Sequence, residues 1–105
     1  MIISNKKFLK KKFVNRTFSE TTFKNCNFWE SSFKNVKFYR VKIIDSIFCD
    51  AIFKNVTFNH CIIKGSNFSH SKFFNTKIKK SKLSNINYRD SIKDNHSKIP
   101  NYIST

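Results

Sequence analysis

Large apolar residues recur along this chain at a fixed step of five. From Phe8 the step lands on Phe13, Phe18, Phe23, Phe28, Phe33, Phe38, Ile43, Phe48, Phe53, Phe58, Ile63, Phe68, Phe73, Ile78 and Leu83, sixteen consecutive apolar positions. Twelve of the 13 phenylalanines lie on this register and only Phe74 falls off it, while Ile3 and Tyr88 extend it weakly at the two ends. On an α-helix a step of five rotates by about 140°, which would scatter these rings around the axis. A flat strand alternates with period two, so an odd step would throw successive rings onto opposite faces. The pattern therefore predicts a backbone that bends at every fifth residue. Each pentapeptide forms one side of a square coil, four pentapeptides close it, and the register residue points inward.

A second column keeps the same phase two positions earlier. From Thr21 it reads Thr21, Cys26, Ser31, Val36, Val41, Ser46, Ala51, Val56, Cys61, Ser66, Ser71, Thr76 and Ser81, all small or β-branched and none charged. Residues 6 to 17 keep the central Phe but place Lys6, Lys11 and Arg16 in that column, where a long charged side chain does not fit a closed interior. These two columns resemble the pentapeptide-repeat family, which centres a Leu or Phe and sets a small residue two positions before it. The resemblance implies an all-β, right-handed quadrilateral β-helix solenoid of about four coils. It would span residues 1–91, with a degenerate first coil over 6–20 that is splayed or acts as a cap. Residues 92–105 leave the register and read as a C-terminal cap or flexible tail. Phe23, Phe28, Phe33, Phe38, Phe48, Phe53, Phe58, Phe68 and Phe73 are the expected structural core.

In such a coil, residues twenty apart lie above one another, so surface columns can be read directly. Asn15, Asn35, Asn55 and Asn75 form one column, which we expect to link its amides along the axis. The net charge is +15, from 21 Lys and Arg against six Asp and Glu, and it is uneven between the sides. The side containing 6–10, 26–30, 46–50, 66–70 and 86–90 sums to +1, whereas the next two sides sum to +5 each. Those two adjacent sides carry Lys12, Lys34, Lys54, Lys72, Lys37, Arg40, Lys77, Lys79 and Lys80, with Tyr39 among them as a stacking candidate. Phosphate groups along a nucleic acid or another polyanion fit such a stripe, and so does an acidic protein surface. The less basic side offers Leu9, Trp29, Ile47 and Cys49, of which Trp29 and Ile47 are candidates for protein contact.

Nothing in the sequence assembles an active site, a metal site or a cofactor site. His60 and His70 fall on opposite sides of the square, and Cys61 points inward. Cys49, Asp50 and His70 are the nearest set, without oxyanion donors or phosphate-binding glycines beside them. Three cysteines cannot all pair, which points to a reducing compartment, and MIISNKKFLKKKF interrupts with lysines the apolar stretch a secretory signal requires. The expectation is a cytoplasmic, non-catalytic scaffold with no membrane span, whose partner is an unidentified protein or a nucleic acid. Pairing of two copies through a solenoid end is a further expectation, because unpaired strand edges there must be covered. Some pentapeptide-repeat proteins imitate duplex DNA and act on DNA gyrase. That mode needs an acidic rod, and this chain has the opposite sign.

Overall fold

A backbone that bends every five residues needs a residue at each corner that tolerates the bend. In the computed structural model, which describes residues 1–103, every fifth residue from Asn5 to Asp90 has a positive φ between 46° and 63°. The left-handed region costs an ordinary L-residue roughly 1–2 kcal/mol and is best tolerated by Gly, Asn, Asp and His. Those four types fill thirteen of the eighteen corners. Gly65 is the one corner glycine, and a methyl group there would collide with the Asp45 carboxylate of the preceding coil.

Between corners the chain forms strands of two or three residues that pair in parallel with the strand twenty residues on. The first face stacks Ile2–Ser4, Thr22–Lys24, Lys42–Ile44, Ile62–Lys64 and Lys82–Ser84. The second is joined by single bridges linking Lys7, Asn27, Ile47, Asn67 and Asn87. The third stacks Lys12–Val14, Ser32–Lys34, Ile52–Lys54, Lys72–Phe74 and Ile92–Lys93. The fourth stacks Thr17–Ser19, Lys37–Tyr39, Thr57–Asn59 and Lys77–Lys79. The result is a four-sided, all-β solenoid of about five turns. That is one more turn than the expected four, because one further side at Ile2–Ser4 and three at Asn87, Ile92–Lys93 and Lys98 pair with their neighbouring coils.

The tube is filled by ladders of like rings. Phe13, Phe33, Phe53 and Phe73 stack nearly parallel at centroid separations of 4.9, 5.1 and 5.1 Å. Phe8, Phe28, Phe48 and Phe68 do the same at 4.8, 4.6 and 4.8 Å. These separations match the spacing of paired strands, about 4.8 Å, so one backbone repeat sets the ring repeat. All nine expected core phenylalanines, from Phe23 to Phe73, are buried.

The small column shows why polar residues are admitted inside. Ser31 and Ser71 donate their hydroxyls to the Phe28 and Phe68 carbonyls at 2.6 and 2.5 Å. Ser46 Oγ accepts the Cys26 N–H at 3.1 Å, and Ser81 Oγ accepts the Cys61 N–H at 2.9 Å. A short side chain thus satisfies the Cys26 and Cys61 amides, which would otherwise be orphaned in an apolar tube, and adds a second donor to the Phe28 and Phe68 carbonyls, which already accept the Ser31 and Ser71 N–H groups.

Lys6, Lys11 and Arg16 do not splay the first coil. Lys12–Val14 and Thr17–Ser19 stay in register with the coil below, and the Asn27 N–H donates to the Lys6 carbonyl at 2.9 Å. The long side chains are tolerated because among the described residues no coil covers them, and they are exposed at the rim. At the other end the expected cap or tail is an ordered cover over residues 92–103. Ile92–Lys93 adds to the third face, Lys98 bridges to Lys77 on the fourth, and Ile99 is buried. Ser104 and Thr105, the end of that segment, lie outside the described residues.

Candidate binding surface

The corner asparagines build the expected ladder. Asn35 donates its amide to Asn15 at 3.0 Å, Asn55 to Asn35 at 2.7 Å and Asn75 to Asn55 at 3.2 Å. On the second face the side-chain carbonyls of Asn27, Asn67 and Asn87 accept the N–H two residues on, at 3.0, 2.9 and 2.9 Å. These asparagines are committed to shaping the backbone. The cations are left as the groups free to meet a partner.

On the third face Lys34 and Lys54 are in direct register, and the neighbouring column runs Lys12, Ser32, Ile52, Lys72. On the fourth, Lys37 and Lys77 alternate with Thr17 and Thr57. Lys12, Lys34, Lys37, Arg40, Lys54, Lys72, Lys79 and Lys80 are exposed, and Lys77 is half-buried. Across residues 11–20, 31–40, 51–60 and 71–80 the only acid is Glu20. Among the described residues the ion pairs are His70 with Asp90 and Arg89 with Asp90, each at 3.7 Å, and neither touches these faces. The cations therefore stand without carboxylate partners.

Tyr39 is exposed and part of a small aromatic cluster. Arg40 lays its guanidinium 5.3 Å from the Tyr39 ring centre and donates Nε–H to the Tyr39 hydroxyl at 3.1 Å, while His60 meets the ring edge-on at 5.9 Å. Lys98 extends the fourth face and was missed by the register, because a one-residue shift separates it from Lys77 by 21 positions, while Lys93 continues the third face in regular register with Phe73. The signal was present as Ser97 two positions before Ile99, the small-then-apolar pair repeated once more.

On the second face Trp29 is half-buried, with Lys10 Nζ 5.5 Å from its ring, and Ile47 is exposed. The catalytic grouping weighed for Cys49, Asp50 and His70 does not assemble, since His70 faces Asp90 and Cys49 Sγ lies 3.2 Å from Ser69 Oγ. His60 and His70 occupy diagonally opposite corners. Burial pushes the Cys61 thiol above its ordinary range, which keeps it protonated and unreactive. Among the described residues no three His, Cys, Asp or Glu side chains come together as a metal site, and no helix is long and apolar enough to cross a membrane.

Comparison with solved structures finds low-identity likenesses. The pentapeptide-repeat protein Rfr23 of the cyanobacterium Cyanothece 51142 is 7% identical, with a TM-score of 0.37 over 92% of this chain and 90% of that one. HetL of Nostoc sp. Strain PCC 7120, involved in heterocyst differentiation regulation, is 9% identical, with a TM-score of 0.49 over 84% of this chain and 40% of that one. QnrB1, a plasmid-mediated fluoroquinolone resistance protein, is 15% identical in a trypsin-treated form, with a TM-score of 0.35 over 91% and 70% of the two chains. No curated protein matches the sequence. The family model for pentapeptide repeats does match, in eight copies over residues 17–55 and 51–87. With that match covering most of the solenoid whose corners, ring ladders and small column are described above, the chain belongs to the pentapeptide-repeat family.

Proposed function

We propose that this protein is a non-catalytic binding scaffold whose third and fourth faces engage an acidic protein surface. The observation that carries this reading is the run of cations without carboxylate partners on two adjacent rigid faces, where Glu20 is the only acid across residues 11–20, 31–40, 51–60 and 71–80. Rigid strands hold the charges in place before binding, so little ordering is needed on contact. Trp29 and Ile47 on the second face supply an apolar contact beside the charged ones. The free cysteines fit a cytoplasmic setting.

A second reading is favoured by the Tyr39, Arg40 and His60 cluster among the lysines. It is binding of nucleic acid, with phosphates on Lys34, Lys54, Lys72, Lys37, Lys77, Lys79 and Lys80 and a base stacked on Tyr39. The two readings separate in titrations with random-sequence DNA and with an acidic polypeptide at low and raised salt. A nucleic-acid binder loses roughly 10³-fold or more in affinity between about 50 and 200 mM salt if six or more phosphates are engaged. Lys34→Gln with Lys54→Gln should weaken whichever ligand binds. Unchanged binding of both ligands by that variant would remove the basic faces from the function.

A further inference from the structure

The two ends of the solenoid differ, and the N-terminal one carries a surface of its own that meets the basic faces at Lys11, Lys12 and Arg16. Ile3, Phe8, Phe13 and Phe18 line the tube in the first coil but are only partly buried, whereas Phe23, Phe28, Phe33 and Phe38 one coil on are buried. Around this ring, on three of its sides, stand Ile2, Leu9 and Val14, exposed by 72, 44 and 50%, with Met1 exposed by 84% next to Ile2. Apolar exposure concentrated on one end of a small protein marks a contact surface.

The rim of that end is cationic. Lys6, Lys7, Lys10, Lys11, Lys12 and Arg16 are all exposed, and no acid precedes Glu20. Lys6, Lys11 and Arg16 occupy the column that small residues fill elsewhere, and they are exposed at the rim of the tube. Arg16 lies 5.2 Å from the centre of the Phe18 ring. An aromatic floor under a ring of long cations suits one kind of partner, because the stems bury their methylenes and the charged heads reach an anionic layer.

We propose that the N-terminal end of the solenoid docks shallowly on an anionic lipid surface, with Phe8, Phe13 and Phe18 facing the acyl boundary and Lys6, Lys11 and Arg16 on the headgroups. Trp29 lies one coil below on the adjoining second face, beside Leu9 and Lys10, at the depth where an indole is favoured at a membrane interface. A second copy fits this end less well. Head-to-head pairing would oppose two like-charged rims, and among the described residues the opposite end is already covered by 92–103.

Trp29 is the single tryptophan of the chain and reports directly. The 105-residue protein is titrated with vesicles of phosphatidylcholine alone and of phosphatidylcholine mixed with phosphatidylglycerol. The expected result is a blue shift and reduced acrylamide quenching on the mixed vesicles only. Lys6→Gln, Lys11→Gln and Arg16→Gln together should weaken partitioning about 100-fold, and Leu9→Ser about tenfold. All four positions are exposed, and unchanged circular dichroism checks that the fold is kept. The proposal is overturned if Trp29 does not respond, or if Lys54→Gln with Lys72→Gln abolishes binding as effectively as the rim variant. It is also overturned if polyglutamate produces the same Trp29 shift and displaces the vesicles, or if sedimentation shows a dimer that the rim variant dissociates.

Discussion

The two ends of this tube are lined by the same kind of residue and solve the same problem in opposite ways. At the C-terminal end the chain leaves its register and folds back as a cover. Ser97 Oγ accepts the Thr76 N–H at 2.9 Å, Ile99 is buried, and Tyr102 packs on Tyr88 and Phe73 at 5.1 and 6.3 Å. Beneath this cover Tyr88 is buried, and desolvation, helped by nearby Tyr102, drives its hydroxyl far above the ordinary tyrosine range. At the N-terminal end Phe8, Phe13 and Phe18 are only partly buried. Phe13 and Phe53 belong to one ladder, so residue type does not set burial in a solenoid. The presence of a coil on both sides does.

The largest expected effect tests that statement directly. Phe53→Ala should cost about 3–5 kcal/mol, because stacked rings above and below cannot close the void. Phe13→Ala, with neighbours on one side only, should cost about 1–2 kcal/mol. Urea unfolding of both variants measures the difference, and equal losses would show that the ends are as tightly packed as the middle.

The C-terminal cover is the next place to press. Ile99→Ala should cost about 2 kcal/mol and speed hydrogen exchange in the last coil more than in the first. The cover also carries a pH dependence. The Asp94 carboxylate accepts the Ser97 hydroxyl at 2.7 Å and the N–H groups of Ser97 and Asn75, which hold its pKa below the ordinary carboxylate value. A depressed folded pKa gives stability that is present above the unfolded value and is lost as pH falls through the folded one. Melting midpoints should therefore drop in acid more steeply for the native chain than for Asp94→Asn, with the two curves converging at the acid end.

The smallest effect concerns the surface ladder. Asn55→Ala removes two exposed amide hydrogen bonds and puts a β-carbon without local hydrogen bonding at a left-handed corner, a loss of about 1 kcal/mol. Asn55→Gly keeps the corner and loses only the bonds, so the gap between the two thermal midpoints divides corner from ladder.

The middle of this molecule was legible in its sequence because the physics there is repetitive. An inward ring every fifth position and a small residue two before it admit one solution, and from Phe23 to Phe73 burial follows the register without exception. The ends were less legible for a stated reason. Lys6, Lys11 and Arg16 read as a disturbance only if the tube closes above them, and in this chain nothing among the described residues does. The cover over 92–103 was obscured by a single inserted position, which moved Lys98 within the fourth face from the inward column of Ile78 to the outward column of Lys77. The basic faces could be drawn from charge counts alone. The pairing of Tyr39 with Arg40 and His60 needed coordinates, because its ring leans out of its own column toward the corner side chains of this coil and the next.

The left-handed corners have a consequence for how such a chain can lengthen. Duplicating one full circuit would add a rung to every ladder and leave each existing neighbour in place, a change the tube could absorb at any height. Inserting a lone pentapeptide would swing everything beyond it by a quarter turn, setting lysine columns over asparagine ones and breaking the amide chain. Growth by whole circuits is thus the path of least disruption, and the twenty-residue step of the Asn15 to Asn75 column has the form that such growth leaves behind.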